Sequence, residues 1–505
     1  MTRPATLAVP PGRSLRRSEL PRVPFPVFRD VVVRSVAAGA QLLGLFGLPG
    51  RPVELLALLG DPEEHVLHWV CTTPGESWPS LTPSLPAAHL FERLVAEDWG
   101  VVPEGHPNLK PVRFHASRRP GHDAWGRPEG APIPVGVMDY YRVEGDEVHE
   151  VAVGPVHAGV IEPGHFRFQC HGEEVLHLEI SLGYQHRGVE RLLEGGPDAR
   201  TSVLLETAAG DTSVGHGTAG CQVLEALAGC AVPPRASRIR ALALELERLA
   251  NHCGDLGALA GDVGYLPTAS HCGRLRGNFL NMTAVLAGNR MGRGLVRPGG
   301  VVRDLPGRKV DELRTRLEEA MEGVTLAVDL LFGSASARAR LEETGRVLPE
   351  DARALGLRGP AARACGLEED ARRDFPWGPY AQEEFRPVTF PSGDVEARAR
   401  VRWGEMQQSA ELVRRWLGRL EEGPVREQPG PLAPDSAAAA VVEGWRGAVL
   451  HLALTDRAGR LESYRIADPS IQNWSGLAMA LRGTAISDFP LCNKSFNLSY
   501  CGFDL

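Results

Sequence analysis

No two of the nine cysteines, at positions 71, 170, 221, 230, 253, 272, 365, 492 and 501, are spaced as a CxxC pair. This excludes the paired thiolates of zinc ribbons, thioredoxin-like redox motifs and most iron–sulfur ligation, and leaves reduced, mostly buried thiols as the expected state. Lysine is nearly absent: only Lys110, Lys309 and Lys494 stand among 55 basic residues, the rest being arginine. No stretch reaches the ~18–20 uncharged apolar residues of a membrane span; Val31 to Gly50 comes nearest and is interrupted by Arg34 and Gln41. The basic N-terminus is broken by proline and has no apolar core, so no secretory signal is expected. GxGxxG after a strand, GxxxxGK[ST] and HExxH are all missing, which removes the usual nucleotide and zinc-hydrolase signatures. With a net charge of −8, the 505-residue chain also lacks the concentrated positive face of a nucleic-acid binder.

What is present describes an α+β protein of at least two domains. Residues 1–29 are rich in Pro and Arg and read as a poorly ordered extension. Residues 30–114 mix β-branched runs with a helical stretch, PAAHLFERLVAEDWG, in which Leu90, Leu94 and Val95 recur at helical spacing, giving a small α+β domain. Residues 115–147 read as a linker. Residues 148–505 form a mainly helical body with small β-sheets, opening with strands at 148–153, HFRFQCHG and EEVLHLEISL. The pattern then predicts helices over Thr201–Leu227, from Pro234 to Ala258, Leu275–Met291, Lys309–Leu331 and Met406–Leu420. A helical insertion with loops occupies 334–400, and a strand pair (WRGAVLHLALTD, GRLESYRIAD) follows a Pro-rich break at 424–434.

Three segments carry candidate chemistry. In GPVHAGVIEPGHFRF, the turns Gly154-Pro155 and Pro163-Gly164 present His157, Glu162 and His165 from loops; the bland alternative is turn histidines and surface ion pairs. In ETAAGDTSVGHGTAGCQVLEAL, Glu206, Asp211, Thr212, Ser213 and His216 lie close together, and Asp211 and His216 could relay protons. Glycines 210, 215, 217 and 220 disfavour a helix by ~0.8–1 kcal/mol each, which suggests close approach to a neighbour or a pocket. In LELERLANHCGDLGALAGDVG, Glu245, Arg248, His252 and Asp255 share one helical face, for which a solvated charge row is the default reading.

The block GPVHAGVIEPGHFRF…LGYQHRGVERLLEG resembles the catalytic large subunit of membrane-bound NiFe hydrogenases and the quinone-site (49 kDa-type) subunit of respiratory complex I. It is also similar to the large subunit of formate hydrogenlyase, in which a small peripheral-arm (30 kDa-type) domain is fused ahead of the body; Trp78–Val112 resembles that piece. The resemblance implies a hydrogenase-large-subunit-like fold for 148–505 and a peripheral place on the cytoplasmic face of a cell membrane. The implied partners are a small iron–sulfur subunit and antiporter-like membrane subunits, with the membrane reached only through them.

In the hydrogenases two CxxC pairs supply the thiolates that nickel and iron require. Counted from Glu206 and from Asp468-Pro469, those positions are Ala209, Thr212, Ser470 and Asn473, so the chain is expected to hold no metal, no NiFe centre and no cofactor of its own, and not to act as a hydrogenase by itself. Iron–sulfur clusters would belong to the partner. Complex I subunits that have lost the cysteines use the vacated space for a quinone head, held by a histidine, here His157 or His165, and by a tyrosine whose expected place is Gly220. Glu206, Asp211 and His216 are the candidate catalytic residues. The expected activity is oxidoreductase electron transport of the NADH dehydrogenase type, from an iron–sulfur partner to a quinone or other acceptor; the alternative is a non-catalytic structural or coupling adaptor.

Overall fold

The computed structural model describes residues 4–157 and 161–505. In the N-terminal part, strands Gln41–Leu48, Glu54–Asp61 and Val66–Thr72 form an antiparallel meander. Nearly every residue of these strands is buried. Such continuous burial, without alternation, follows from cover on both faces: the helices Phe25–Ala37 and His89–Trp99 both pack on this sheet, the first through Phe28 and Val32 and the second through Phe91 and Val95.

The stretch read as a poorly ordered extension is instead built into the protein over its described residues. Leu7–Val9 pairs with Val66–Thr72 (Leu7 opposite Trp69), and Arg13–Arg16 pairs with Ser436–Gly444 in the C-terminal part. Composition suggested disorder, yet Val9, Leu15 and Leu20 each bury an apolar side chain amid the prolines and arginines, and sheet edges take up the backbone. Residues 1–3 of that extension, and 158–160 of the histidine loop, lie outside the described residues.

Residues 115–147 carry no helix or strand and touch both parts, with Trp125 Nε1 donating to Leu109 O in the N-terminal part and Tyr141 N to Glu179 in the body. The body opens with an antiparallel sheet of Val148–Val153, His165–His171 and Glu174–Ser181. The region expected as one helix over Thr201–Leu227 is two, Thr201–Glu206 and Ser213–Ala228. The break falls at Gly210-Asp211-Thr212, where the first amides of the second helix take a carboxylate from another helix: Val214 N and Gly215 N donate to Glu247. The long helix Pro234–Asp262 packs beside it and carries Leu266–Ala287 and Val395–Leu417, and Gly307–Gly333 packs in turn on Leu266–Ala287.

The longest strand that went unread, Ser436–Gly444 (SAAAAVVEG), is buried at all nine positions and pairs with both Arg13–Arg16 and Gly447–Thr455. Its alanines carry little β-propensity, but only small side chains fit a strand against which the helix Ser213–Ala228 packs. One continuous apolar core joins both parts, from Leu45 and Trp69 through Phe166 to Leu246 and Trp416. Residues 489–505 fold back onto the body, where Asp504 accepts from Gly183 N and Gln185 N.

Candidate functional site

The N-terminal end of the glycine-bearing helix Ser213–Ala228 faces Trp445-Arg446 and the segment leading into the helix Ser470–Ala480. Arg446 donates through both terminal nitrogens to Asp211 (2.6 and 2.7 Å) and approaches Thr212 Oγ1 at 3.4 Å, while its guanidinium lies over the Trp445 ring. Burial pushes the Asp211 carboxyl up, but the Arg446 guanidinium outweighs it and holds the group below the usual carboxylate range. Gly359, at φ +61°, lets its backbone pass against Arg446 O, where a Cβ would come within 2.1 Å.

Behind this pair runs a fully buried chain of four groups. Asp468 accepts from His216 Nε2 (3.1 Å), His216 Nδ1 contacts His451 Nε2 (2.9 Å), and His451 Nδ1 contacts Tyr464 Oη (2.9 Å). Chemistry fixes the proton positions. Burial raises the Asp468 carboxyl, but the hydrogen bond from His216 Nε2 and the nearby Arg446 guanidinium hold it low and ionised, so the His216 proton facing it sits on Nε2 and Nδ1 is left to accept. His451 then donates from Nε2, and Tyr464 donates to His451 Nδ1. Burial keeps His451 neutral and Tyr464 protonated, which agrees with this direction.

The predicted residues do not form one constellation. Asp211, Thr212 and His216 share the region with Asp468, Ser470 and Arg446. Glu206 sits apart, accepting from Gly294 N and pairing with Arg297 at 2.6 Å. Ser213 is buried and donates to Gly210 O. At the four vacated thiolate positions, Ala209 is buried, Thr212 bonds Asp211, Ser470 Oγ accepts from Ser499 N, and Asn473 is clamped to Arg358 by bonds to its N–H and C=O. A methyl, two hydroxyls and a carboxamide offer no soft donor, and a guanidinium already contacts one of the hydroxyls. The residues present do not fit a nickel–iron pair.

The two loop histidines differ. His165 receives Arg167 Nε on its own Nε2 at 3.2 Å, and burial lowers its pKa, with Arg167 adding to the effect. His157 donates from Nδ1 to Pro155 O at 3.2 Å, its ring edge-on to Phe166 and 6.4 Å from Tyr500; its Nε2 is buried and meets no partner among the described residues. Gly220, where a tyrosine was expected, abuts Leu205 so closely that even a Cβ would lie 2.6 Å from it.

The row Glu245, Arg248, His252 and Asp255 is no solvated face; all four are between 0 and 3% exposed. Glu245 pairs with Arg248 and Arg372, His252 donates to Glu405, and Asp255 pairs with Arg402. Arg446, His451, Tyr464 and Glu247 escaped sequence reasoning. A histidine within the apolar strand run VLHLAL was the one available signal.

A glycine-bearing helix set against an Asp-Pro helix start, with Ala209, Thr212, Ser470 and Asn473 where the resemblance places thiolates, is the arrangement expected of a large subunit of the class shared by membrane-bound hydrogenases and complex I. The comparisons agree. The family described as "Respiratory-chain NADH dehydrogenase, 49 Kd subunit" matches residues 262–430. Formate hydrogenlyase subunit 5 of Escherichia coli is 30% identical over 84% of this chain and 76% of its own length. The carbon monoxide-induced hydrogenase of Rhodospirillum rubrum is 32% identical over 69% of this chain and 97% of its own length. A chain of the archaeal membrane-bound sulfane sulfur reductase, a respiratory membrane complex, superposes with a TM-score of 0.67 at 25% identity, covering 72% of this chain and all of that one. The protein belongs to the family that unites the complex I 49 kDa-type subunit with formate hydrogenlyase subunit 5 and the membrane-bound hydrogenase alpha subunits. Its relatives are subunits of membrane-bound complexes, and no single helix among the described residues is long and apolar enough to cross a membrane.

Proposed function

We propose that the chain is the peripheral large subunit of a complex-I-like or formate-hydrogenlyase-like oxidoreductase. In this reading it passes electrons from the cluster of a small iron–sulfur partner to a quinone, with antiporter-like subunits in the membrane and no NiFe centre. The observation that carries the reading is His157: a buried ring nitrogen without a partner among the described residues, on the loop that the family resemblance places at the acceptor site. Because Nδ1 donates to Pro155 O, Nε2 is the exchangeable position. Protonated, it donates to one quinone carbonyl and gives up that proton as two electrons arrive from the partner's cluster; the second proton reaches the other carbonyl from solvent, and the neutral ring then accepts from the quinol hydroxyl. Asp211 stays ionised against Arg446, and the Asp468–His216–His451–Tyr464 chain holds a proton within the same region.

A second reading, a non-catalytic coupling adaptor, draws on a specific observation. The cavity beside Asp211 and Glu247 is about 20 Å³, room for a water and not for a quinone ring. The assembled complex separates the two. Quinone-analogue reduction should fall ~100-fold in His157→Ala, by the usual contribution of a positioned acid–base group, and less in His165→Ala, whose Nε2 already serves Arg167. Unchanged turnover in His157→Ala favours the adaptor, and stoichiometric nickel in metal analysis overturns both.

A further inference from the structure

A cavity of about 360 Å³ lies where the N-terminal part meets the body, between the helix His89–Trp99, the strand Glu174–Ser181 and the helix Ser470–Ala480. Its size falls within the ~300–1,000 Å³ of small-molecule sites, and junctions between domains are where such sites concentrate. Leu90, Leu178, Ile180, Leu182, Met479 and Phe503 make its wall largely apolar.

Set into that wall is an arginine without a counter-charge. Arg93 is 7% exposed; its Nε and Nη2 donate to the carbonyls of Lys110 and Pro111, at 2.8 and 2.9 Å, and no carboxylate pairs with it among the described residues. The nearby acids are committed elsewhere. Glu97 accepts from the amides of Val112, Arg113 and Phe114, and Glu179 pairs with Lys110 and accepts from Tyr141 N. A buried cation facing only neutral acceptors is costly, and burial lowers its pKa to about 10.

The one carboxylate in the lining, Glu179, is already held by Lys110 and Tyr141 N, and Thr82, Asn108 and Ser475 add only neutral polar groups. The indole N–H of Trp474, a residue 3% exposed, has no acceptor among the described residues. His89 and His177 are held below the ordinary histidine pKa by burial and nearby arginines, and Arg482 stands exposed and unpaired among the described residues. A buried guanidinium and an exposed one, set in a largely apolar space whose lining carboxylate is already paired with Lys110, call for a ligand that is apolar along its body and anionic at one end.

We infer that the junction cavity binds an amphipathic monocarboxylate, an acyl chain or compact apolar ring system whose carboxylate is received by Arg93 and Arg482. This does not rest on the proposed electron-transfer function. It places a ligand next to the vacated metal site, since Trp474 follows Asn473 and packs edge-on against Tyr500, 4.9 Å between ring centroids.

Calorimetric titration of the full chain with decanoate, 1-decanol and inorganic phosphate tests it. Decanoate should bind saturably at one site per chain, 1-decanol at least tenfold more weakly, and phosphate not at all. Ala478→Phe, which places a ring in the cavity, should abolish decanoate binding. Arg93→Gln should weaken it at least tenfold; should that variant unfold, the exposed Arg482→Gln should still weaken it severalfold. Equal binding of 1-decanol and decanoate overturns the charge argument. Unaltered decanoate affinity in Ala478→Phe with a native melting profile, or no saturable binding by decanoate, overturns the site. Quinone turnover is not read here, so failure of this site and of the proposed function are separable.

Discussion

Two helices of the body carry rows of charge, and the structure treats them in opposite ways. On Pro234–Asp262, Glu245, Arg248 and His252 belong to a sealed cluster with Asp370, Arg372, Arg363, Glu405 and Glu443, in which Arg363 alone binds Glu405 at 2.8 Å and Glu443 at 2.9 Å. At the start of Ser213–Ala228, the Asp211–Arg446 pair is half open: the Asp211 side chain is 38% exposed while the Arg446 side chain that holds it is 5% exposed. A sealed cluster derives its strength from completeness, because each member lost strands a charge without water. An open pair can exchange its partner for solvent. The first arrangement suits a rigid frame and the second a site where protons and ligands move.

Removing one charge from each region gives the largest expected contrast. Glu405→Gln leaves Arg363 and His252 facing a neutral amide in the core and should cost about 3–5 kcal/mol, the usual consequence of breaking a buried ion pair. Asp211→Asn should cost less, about 1–3 kcal/mol, because Asp211 itself reaches water while the buried Arg446 is left with a neutral partner. Denaturant midpoints of the two variants at one pH measure this. Equal losses would erase the distinction between frame and site.

The same comparison sharpens with pH. Desolvation raises Glu247 to about 8, although Val214 N and Gly215 N donate to it, and raises Glu443 to about 7. A carboxyl whose folded pKa lies above its unfolded value near 4.5 contributes stability at low pH that is lost as pH rises through the folded value. Glu405 runs the other way: three arginine and histidine contacts outweigh its desolvation and hold it far below the carboxylate range, so its contribution disappears only on acidification below about pH 4.5. Glu247→Gln should therefore flatten the fall in melting temperature between pH 5 and pH 9 and leave the acid limb unchanged. An unaltered alkaline slope would mean that the helix amides keep Glu247 ionised throughout.

The long helices and the strands around 165–181 were legible because apolar spacing survives wherever a helix or strand has one clear inner face. The Glu245 row was misread for a physical reason: helical periodicity places residues on a face but says nothing of what covers it, and here the arginines at 363 and 372, more than a hundred residues away, provide the cover. The break at 207–212 was hidden because its cause, the Glu247 carboxylate on the first free amides, arrives from another helix. At the site, the motif spacing located Asp211 and His216 but not Arg446, whose role depends on a strand turn at 444–447. Glycine frequency correctly signalled close approach at Gly220, yet the neighbour is Leu205 and not a ligand.

The smallest effect tests the direction of the buried chain. Asp468 Oδ1 already accepts from Ser470 N at 2.8 Å, and Oδ2 receives His216 Nε2. In Asp468→Asn the amide oxygen stays with Ser470 N, since only an acceptor satisfies that donor, so the amide nitrogen must face His216. Two donors cannot face each other across 3.1 Å. His216 must then move its proton to Nδ1, His451 Nε2 becomes the acceptor, and His451 Nδ1 donates to Tyr464 Oη. The net stability change should be about 1 kcal/mol, since every bond is remade with a neutral group in place of a charge-assisted one. Nitrogen-15 shifts of the two imidazoles read the outcome: Nε2–H in the parent protein and Nδ1–H in the variant, for both rings together. If only His216 switches, the four groups are separate pairs and the region cannot pass a proton from one end to the other.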